Sequence, residues 1–316
     1  MRSIVKIIRG VASLLGYMLN TLFWCIPLFI VALLKLIIPL RSFRSQCNRL
    51  LSLIASGWVA INTLNQRLLS KTTLKVQGPP DYSLEKKYLV VANHQSWVDI
   101  LVLQRIFHRR IPFLKFFIKK ELRWFPLLGQ AWWALDFPFM KRYSPAKLKK
   151  YPHLKGKDLI ETKKACEKYR TMPVSVMNFV EGTRFSPGKH ERQQSPFENL
   201  LKPKAGGTAF VLSAMGDQIS TVVDVTIVYP QGAMSLWDFL CGRVDDIGVT
   251  VRTFPVTEDM QGDYNNDSGH RQHIQEWLNH LWKQKDQMIK VELEKSPGPA
   301  TGSVAAKEDA HPSLKN

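Results

Sequence analysis

Cysteine is scarce in this sequence: four in 316 residues, at Cys25, Cys47, Cys166 and Cys241. No two form a CxxC pair, which argues against a zinc site or a disulfide framework and for reduced, buried thiols. Cys166 lies among Lys163, Lys164 and Lys168 and reads as a packing residue. No G-x-S-x-G elbow occurs, no internal repeat is visible, and no His/Cys/Asp cluster suggests a metal. Acidic residues are nearly missing from the first half. Residues 1–150 hold 5 Asp/Glu against 24 Lys/Arg, while residues 151–316 hold 21 against 20. The net charge of +18 therefore resides in the N-terminal half. That half should face phospholipid headgroups, a phosphorylated small molecule or nucleic acid. Hydrophobic residues at 45% and charged residues at 22% exclude wholesale disorder and collagen.

Charge is also absent from the 24 residues between Val11 and Leu34. A helix of that length reaches about 36 Å, against a hydrocarbon core of about 30 Å. Pro27 should kink it. The run is too long for a secretory signal and no small-residue cleavage site follows. A spanning helix or a re-entrant anchor is expected, with a buried core helix as the bland reading. Lys and Arg after residue 34 favour a cytoplasmic domain. Leu50 to Leu69 carries Asn62, Asn65, Gln66 and Arg67 and reads as an interfacial helix. Leu122 to Met140 is apolar too, but Arg123, Pro126, Gly129, Asp136 and Pro138 break it into a short helix, a glycine break and a strand.

Beyond residue 70, strand and helix patterns alternate. Strand signals cover Leu74–Gln77, Tyr88–Ala92, Ile111–Phe117, Trp133–Met140, Val174–Val180, Thr221–Tyr229 and Ile247–Phe254. Helical patterns cover Trp97–Phe107, Asp158–Tyr169, Gly207–Met215 and His270–Lys290. An α/β fold follows, with a mixed, mostly parallel sheet flanked by helices and preceded by an N-terminal hydrophobic helical membrane anchor. The expected units are an anchor over 1–70, an α/β domain over 71–295 and a disordered Pro/Gly/Ala/Ser-rich tail over 296–316.

The chemistry concentrates after two strands. Tyr88–Ala92 leads into Asn93-His94-Gln95-Ser96-Trp97-Val98-Asp99. His94 then stands where a buried strand gives way to a helix, a common place for a reactive group. Asp99 has two readings. It can be the carboxylate of a capping box whose N-cap is Ser96. It can also hold one imidazole nitrogen of His94 and leave the other as a general base. Residues five apart lie about 140° apart within a helix, so that contact requires His94 on the turn before it. Glu181-Gly182-Thr183-Arg184 follows the apolar run Val174–Val180. Gly182 permits a turn, and Arg184 can grip a phosphate with two prongs or pair with Glu181. Gly182 to His190 nearly matches a phosphate-binding loop, but five residues separate the glycines and no helix signal follows, which rejects a nucleotide. Phe139-Met140-Lys141-Arg142 and Lys119-Lys120-Glu121-Leu122 place further cations after strands, and in one sheet these would converge near His94.

These blocks resemble the glycerophospholipid acyltransferase family, which includes 1-acyl-sn-glycerol-3-phosphate acyltransferases, and in detail its members of the bacterial inner membrane. Asn93, His94 and Asp99 match N-H-x-x-x-x-D. Phe139 and Arg142 match F-x-x-R, and Glu181 to Arg184 match E-G-T-R. Asp224 to Pro230 loosely match the fourth motif, and Lys119, Glu121, Leu122, Pro126 and Gly129 match a K-x-E-L…P…G block. The resemblance implies catalysis by His94 and Asp99. It implies acceptor phosphate binding by Arg184, Arg142 and Lys119, with Asn93, Glu181, Gly182 and Thr183 in support. The donor would be an acyl thioester, acyl-CoA or acyl-carrier protein, and the acceptor a lysophospholipid in a phospholipid membrane. No bound cofactor, metal or nucleic acid is expected. A non-catalytic basic membrane-surface scaffold and an acyltransferase for another headgroup, such as lysophosphatidylglycerol, are the alternatives.

Overall fold

A computed structural model describes residues 2–78, 81–140, 150–151, 166, 169–170, 172–262, 264 and 267–295. The tail over 296–316 and most of the helix expected at Asp158–Tyr169 lie outside the described residues.

Among the described residues, six strands form the main sheet: β1 (Thr73–Gln77), β2 (Tyr88–Ala92), β3 (Leu114–Phe116), β6 (Ser175–Phe179), β7 (Thr221–Val228) and β8 (Asp246–Pro255). Their order is β1-β8-β7-β2-β6-β3. Every pairing is parallel except β7 with β8. The sheet is therefore mixed and mostly parallel, as the alternating pattern predicts. All five residues of β2 are buried, the burial expected of a central strand with helices on both faces. On one face pack α6 (Ala205–Met215) and α8 (Ser268–Lys295). On the other pack α3 (Val98–Phe107) and α7 (Leu236–Leu240). In α3, Val98, Val102, Leu103 and Ile106 recur at helical spacing and turn inward.

The segment 111–140 departs from expectation. Of the strand expected at Ile111–Phe117, Leu114–Phe116 forms in the main sheet, and of that expected at Trp133–Met140, Phe139–Met140 forms. Two residues beyond Phe116, β4 (Ile118–Lys119) pairs with β5 (Phe139–Met140) in a separate two-stranded sheet. Residues 133 and 134 end a helix, α4 (Leu128–Ala134), where a strand was expected. Gly129 belongs to that helix and does not break it. A Cβ there would lie 2.5 and 2.3 Å from the carbonyl oxygens of Leu122 and Arg123, so only glycine allows the preceding turn to pack this tightly. A helix also follows the Glu181–Arg184 turn, where no helix signal is read from the sequence: α5 (Pro187–Gln193), with Pro187 at its first position.

The N-terminal segment is a hairpin of α1 (Arg2–Ile37) and α2 (Arg41–Asn65), the latter running into a π-turn at Gln66–Ser70. The second helix begins nine residues earlier than its apolar stretch suggested. Polar side chains join the two. Asn20 donates to Asn62 Oδ1 and to the Trp58 carbonyl, and Ser13 and Asn65 bond reciprocally. Both ends of α1 also touch the α/β layer. Gly10 lies against Cys241 and Trp237, and Lys35 pairs with Asp136 at 2.6 Å. Those contacts stand about 37 Å apart along the helix axis, so α1 lies along the domain. Its outer stripe, Ile8, Leu15, Leu19, Phe23, Ile26 and Ile30, stays exposed. A third apolar core, with Leu28, Leu51 and Ala131 among its members, joins α1, α2 and α4.

Candidate active site

The carboxyl ends of β2, β6 and β7 lie side by side, with Ala92 in register with both Phe179 and Val225. Asn93 bridges the first end to β7. Its amide donates to the Ile227 carbonyl and accepts from the Ile227 N–H, both at 2.8 Å. That fully buried clamp fixes where the chain turns upward into His94.

His94 stands before α3 and its ring swings back over the first turn. Nδ1 lies 2.8 Å from Asp99 Oδ2. The same oxygen accepts the N–H groups of Gln95 at 2.7 Å and Ser96 at 2.9 Å. Both readings of Asp99 are thus present in one carboxylate, which caps the helix start and holds the imidazole. Ser96 departs from the expected cap: its Oγ reaches Val98 N and the Met234 carbonyl, and Trp97 takes the N-cap position. Asp99 is fully buried, whereas the His94 side chain keeps 12% of its surface open. Nε2 has no hydrogen-bond partner among the described residues, so it is the nitrogen left to meet a ligand. The ring stacks on Phe179, centroids 3.9 Å apart and 13° between planes, and Phe179 stacks in turn on Phe116. Neither aromatic was singled out from sequence; an alternating strand pattern carries no sign of which side chain meets the histidine.

Tyr229 was also missed as a site residue. It is buried, and its hydroxyl donates to Asp99 Oδ1 from the end of β7, 130 residues away. Burial and the Asp99 charge raise its phenol well above the ordinary range, so it remains a donor.

Glu181 is fully buried and works as a bracket. Oε1 accepts the His94 N–H at 3.0 Å and Oε2 the Leu201 N–H at 3.1 Å. Burial pushes its carboxyl up to about 8, opposed by those two N–H groups and by Lys285. Glu181 is therefore spent on backbone. Gly182 adopts φ +72°, a left-handed turn suited to glycine, which lifts Thr183 and Arg184 above the sheet. The Arg184 guanidinium is exposed and rests 4.8 Å from the Trp97 ring centroid, with no carboxylate pair among the described residues. The internal Glu181–Arg184 pair is absent. Lys189 donates to Thr183 Oγ1 and to the Arg184 carbonyl, both at 2.9 Å, and steadies the turn.

Lys119 belongs to the small second sheet, not the main one, and pairs loosely with Glu121 at 3.9 Å. Arg142 lies outside the described residues. Among the described residues, no group of three or more His, Cys, Asp or Glu is arranged to hold a metal.

Behind the site, Lys285 of α8 is fully buried. It pairs with Asp224 Oδ1 at 2.6 Å and donates to the Val225 carbonyl and Thr226 Oγ1. Arg252 holds the other oxygen of Asp224 at 2.8 Å.

A mostly parallel sheet with a histidine–aspartate pair over its carboxyl ends defines an α/β enzyme-like frame, and comparison supplies the class. A sequence model of the Acyltransferase family matches residues 73–230, half of the chain, and the chain belongs to that family. It is similar to 1-acyl-sn-glycerol-3-phosphate acyltransferase gamma of Mus musculus, at 24% identity over 234 residues. That match covers 71% of this chain and 58% of the mouse protein. With the delta form of Rattus norvegicus the identity is 26% over 221 residues, covering 66% of this chain and 54% of that protein. The chain thus spans little more than half the length of these relatives. The crystal structure of the 1-acyl-sn-glycerophosphate acyltransferase PlsC from Thermotoga maritima shares the fold, with a TM-score of 0.53 at 15% identity. It covers 93% of this chain and 97% of that one.

Proposed function

We propose that the protein is a membrane-bound O-acyltransferase that moves a fatty acyl group from an acyl thioester to a lysophospholipid, with 1-acyl-sn-glycerol-3-phosphate as the leading acceptor and phosphatidic acid as product. The observation that carries this reading is the 2.8 Å contact of His94 Nδ1 with buried Asp99, which leaves Nε2 open at the carboxyl edge of the sheet. Nε2 takes the proton from the acceptor hydroxyl. The oxygen attacks the thioester carbonyl, the C–S bond breaks, and the thiolate leaves with the proton returned by the imidazolium. Asp99 stabilises that imidazolium. Backbone N–H groups stabilise the oxyanion. Arg184, with Arg142 and Lys119, binds the acceptor phosphate. The donor is acyl-CoA or acyl-carrier protein, and no bound cofactor takes part.

Both substrates carry acyl chains, so the site must meet a lipid surface. The exposed stripe of α1 supports that role. A helix touching one domain at both ends fits attachment in the interface of a membrane better than passage across it. The cytoplasmic face of a cell inner membrane, rich in anionic lipid, suits the basic N-terminal half.

The test incubates purified protein in vesicles with acyl-CoA or acyl-carrier protein and a panel of lysophosphatidate, lysophosphatidylglycerol and lysophosphatidylcholine, with products read by mass spectrometry. Phosphatidic acid should dominate. His94→Ala should lower its formation by at least ~10² with the fold retained. A folded His94→Ala variant with undiminished turnover, or no diacyl product from any acceptor, overturns the reading.

A further inference from the structure

Nine consecutive residues, 119–127, are exposed although they sit inside the folded domain. A 3-10 turn at Lys120–Trp124 buries none of its side chains. Trp124 is 79% exposed, more than any other large apolar side chain among the described residues, and Phe125, Leu122 and Leu127 stand beside it. Such a cluster costs free energy in water, and its backbone is held firmly. Leu127 has φ +61° and ψ −58°, and Leu128 N bonds the Pro126 carbonyl across it at 2.7 Å. That is a γ-turn, rare and strained for a residue with a Cβ. The Gly129 N–H bonds the Phe125 carbonyl at 2.8 Å, and the close approach of Gly129 to the Leu122 and Arg123 carbonyls closes the knob from below.

Its charge is one-sided. Lys119, Lys120 and Arg123 face a single acid, Glu121. The Arg123 guanidinium lies 5.5 Å from the Trp133 ring and 6.0 Å from the Trp124 ring, an arrangement in which an indole enters a headgroup layer while the cation meets phosphate. The knob leads directly into α4, which packs in the same apolar core as α1 and α2. The knob is therefore anchored, through α4, to the α1–α2 hairpin.

We propose that the turn over 119–127 is a second membrane contact, which inserts Trp124 and Phe125 into the headgroup–acyl boundary of an anionic phospholipid bilayer. The proposal rests on the membrane reading of α1 and adds a fixed point beside Lys119. With α1 it sets the tilt of the domain and holds the His94 opening toward the lipid.

The test places a single fluorescent label at Trp124→Cys, at Leu19→Cys on α1 and at Gln272→Cys on the opposite face of the domain. The native cysteines at 25, 47, 166 and 241 are buried and should not compete for the label. The full chain is reconstituted in vesicles of phosphatidylethanolamine and phosphatidylglycerol. The labels at 19 and 124 should be quenched by lipids with a shallow nitroxide and shielded several-fold from aqueous iodide, while the label at 272 stays open to iodide. Replacing phosphatidylglycerol by phosphatidylcholine should return the label at 124, but not that at 19, toward water. A label at 124 that stays in water while 19 is buried overturns the proposal alone. Labels at both sites in water overturn the membrane reading beneath it. A label shielded from iodide but not quenched by lipid, with cross-linking between copies through residue 124, makes the partner a second copy and likewise overturns it.

Discussion

The Tyr229 hydroxyl donates to Asp99 Oδ1, the oxygen of that carboxylate not engaged by His94. One carboxylate thereby ties the end of β7 to the start of α3 and to the imidazole between them. Tyr229→Phe removes the donor and leaves Asp99 Oδ1 buried without it, at a cost of about 1–3 kcal/mol in stability. Because Tyr229 acts through Asp99, kcat should fall roughly ten-fold while KM is unchanged. Steady-state kinetics beside a melting curve checks this. A lowered Tm with intact kcat would confine the tyrosine to packing.

Glu181 gives stability a pH dependence of defined sign. Its carboxyl ionises near 4.5 when unfolded and near 8 when folded, because burial disfavours the charge. Between those values the folded chain binds the extra proton, so stability falls as pH rises through the window and levels off above it. Below about 4.5 the contribution is fully present. Melting temperatures of wild type and Glu181→Gln between pH 5 and 8.5 should diverge in slope, with the decline seen only for the wild type. Parallel curves would mean that the carboxylate stays ionised on its two N–H donors.

Lys285→Met tests the support behind the site. Asp224 would remain fully buried with only Arg252 on its other oxygen. Breaking a buried pair from one side costs about 3–5 kcal/mol, and the retained Arg252 places this case near the lower bound. Chemical unfolding should show a loss of about 3 kcal/mol, partly recovered when Asp224→Asn is added. A change within error would mean that Lys285 contributes no net stability.

Arg184→Ala should discriminate among acceptors. Its guanidinium is exposed over Trp97, and Glu181 is engaged elsewhere. With lysophosphatidate, a phosphomonoester, kcat/KM should fall roughly 10- to 150-fold, the value of a charge-assisted hydrogen bond. With lysophosphatidylcholine the loss should be smaller. Arg184→Lys should recover part of the rate, since an ammonium keeps the charge and loses the fork. Equal losses on all acceptors with a lower Tm would assign Arg184 to the turn.

Much of this architecture was legible in the chain. Tyr88–Ala92 reads as a doubly buried strand because five apolar residues in a row fit no half-solvated surface, and β2 has those bounds. The spacing of His94 and Asp99 indicates that they can meet only if the histidine precedes the helix, and it does. The segment 122–140 misled because short apolar runs carry no period long enough to separate helix from strand. Lys119 was expected to follow a strand of the main sheet and lies instead in the small second one, since nothing in a sequence says which strands share hydrogen bonds.

The alternation of elements, the long apolar helix, the concentration of positive charge and the two blocks that carry His94, Asp99 and the Glu181–Arg184 turn can all be read from the chain alone. All are local, written in periodicity, composition and short spacing. Folding in three dimensions is what brings Tyr229 to Asp99, Phe179 under the His94 ring, Glu181 to two backbone amides and both ends of α1 onto the domain. Each joins residues far apart in the chain, through pairings set by strand order and by which buried polar groups find partners once water is excluded.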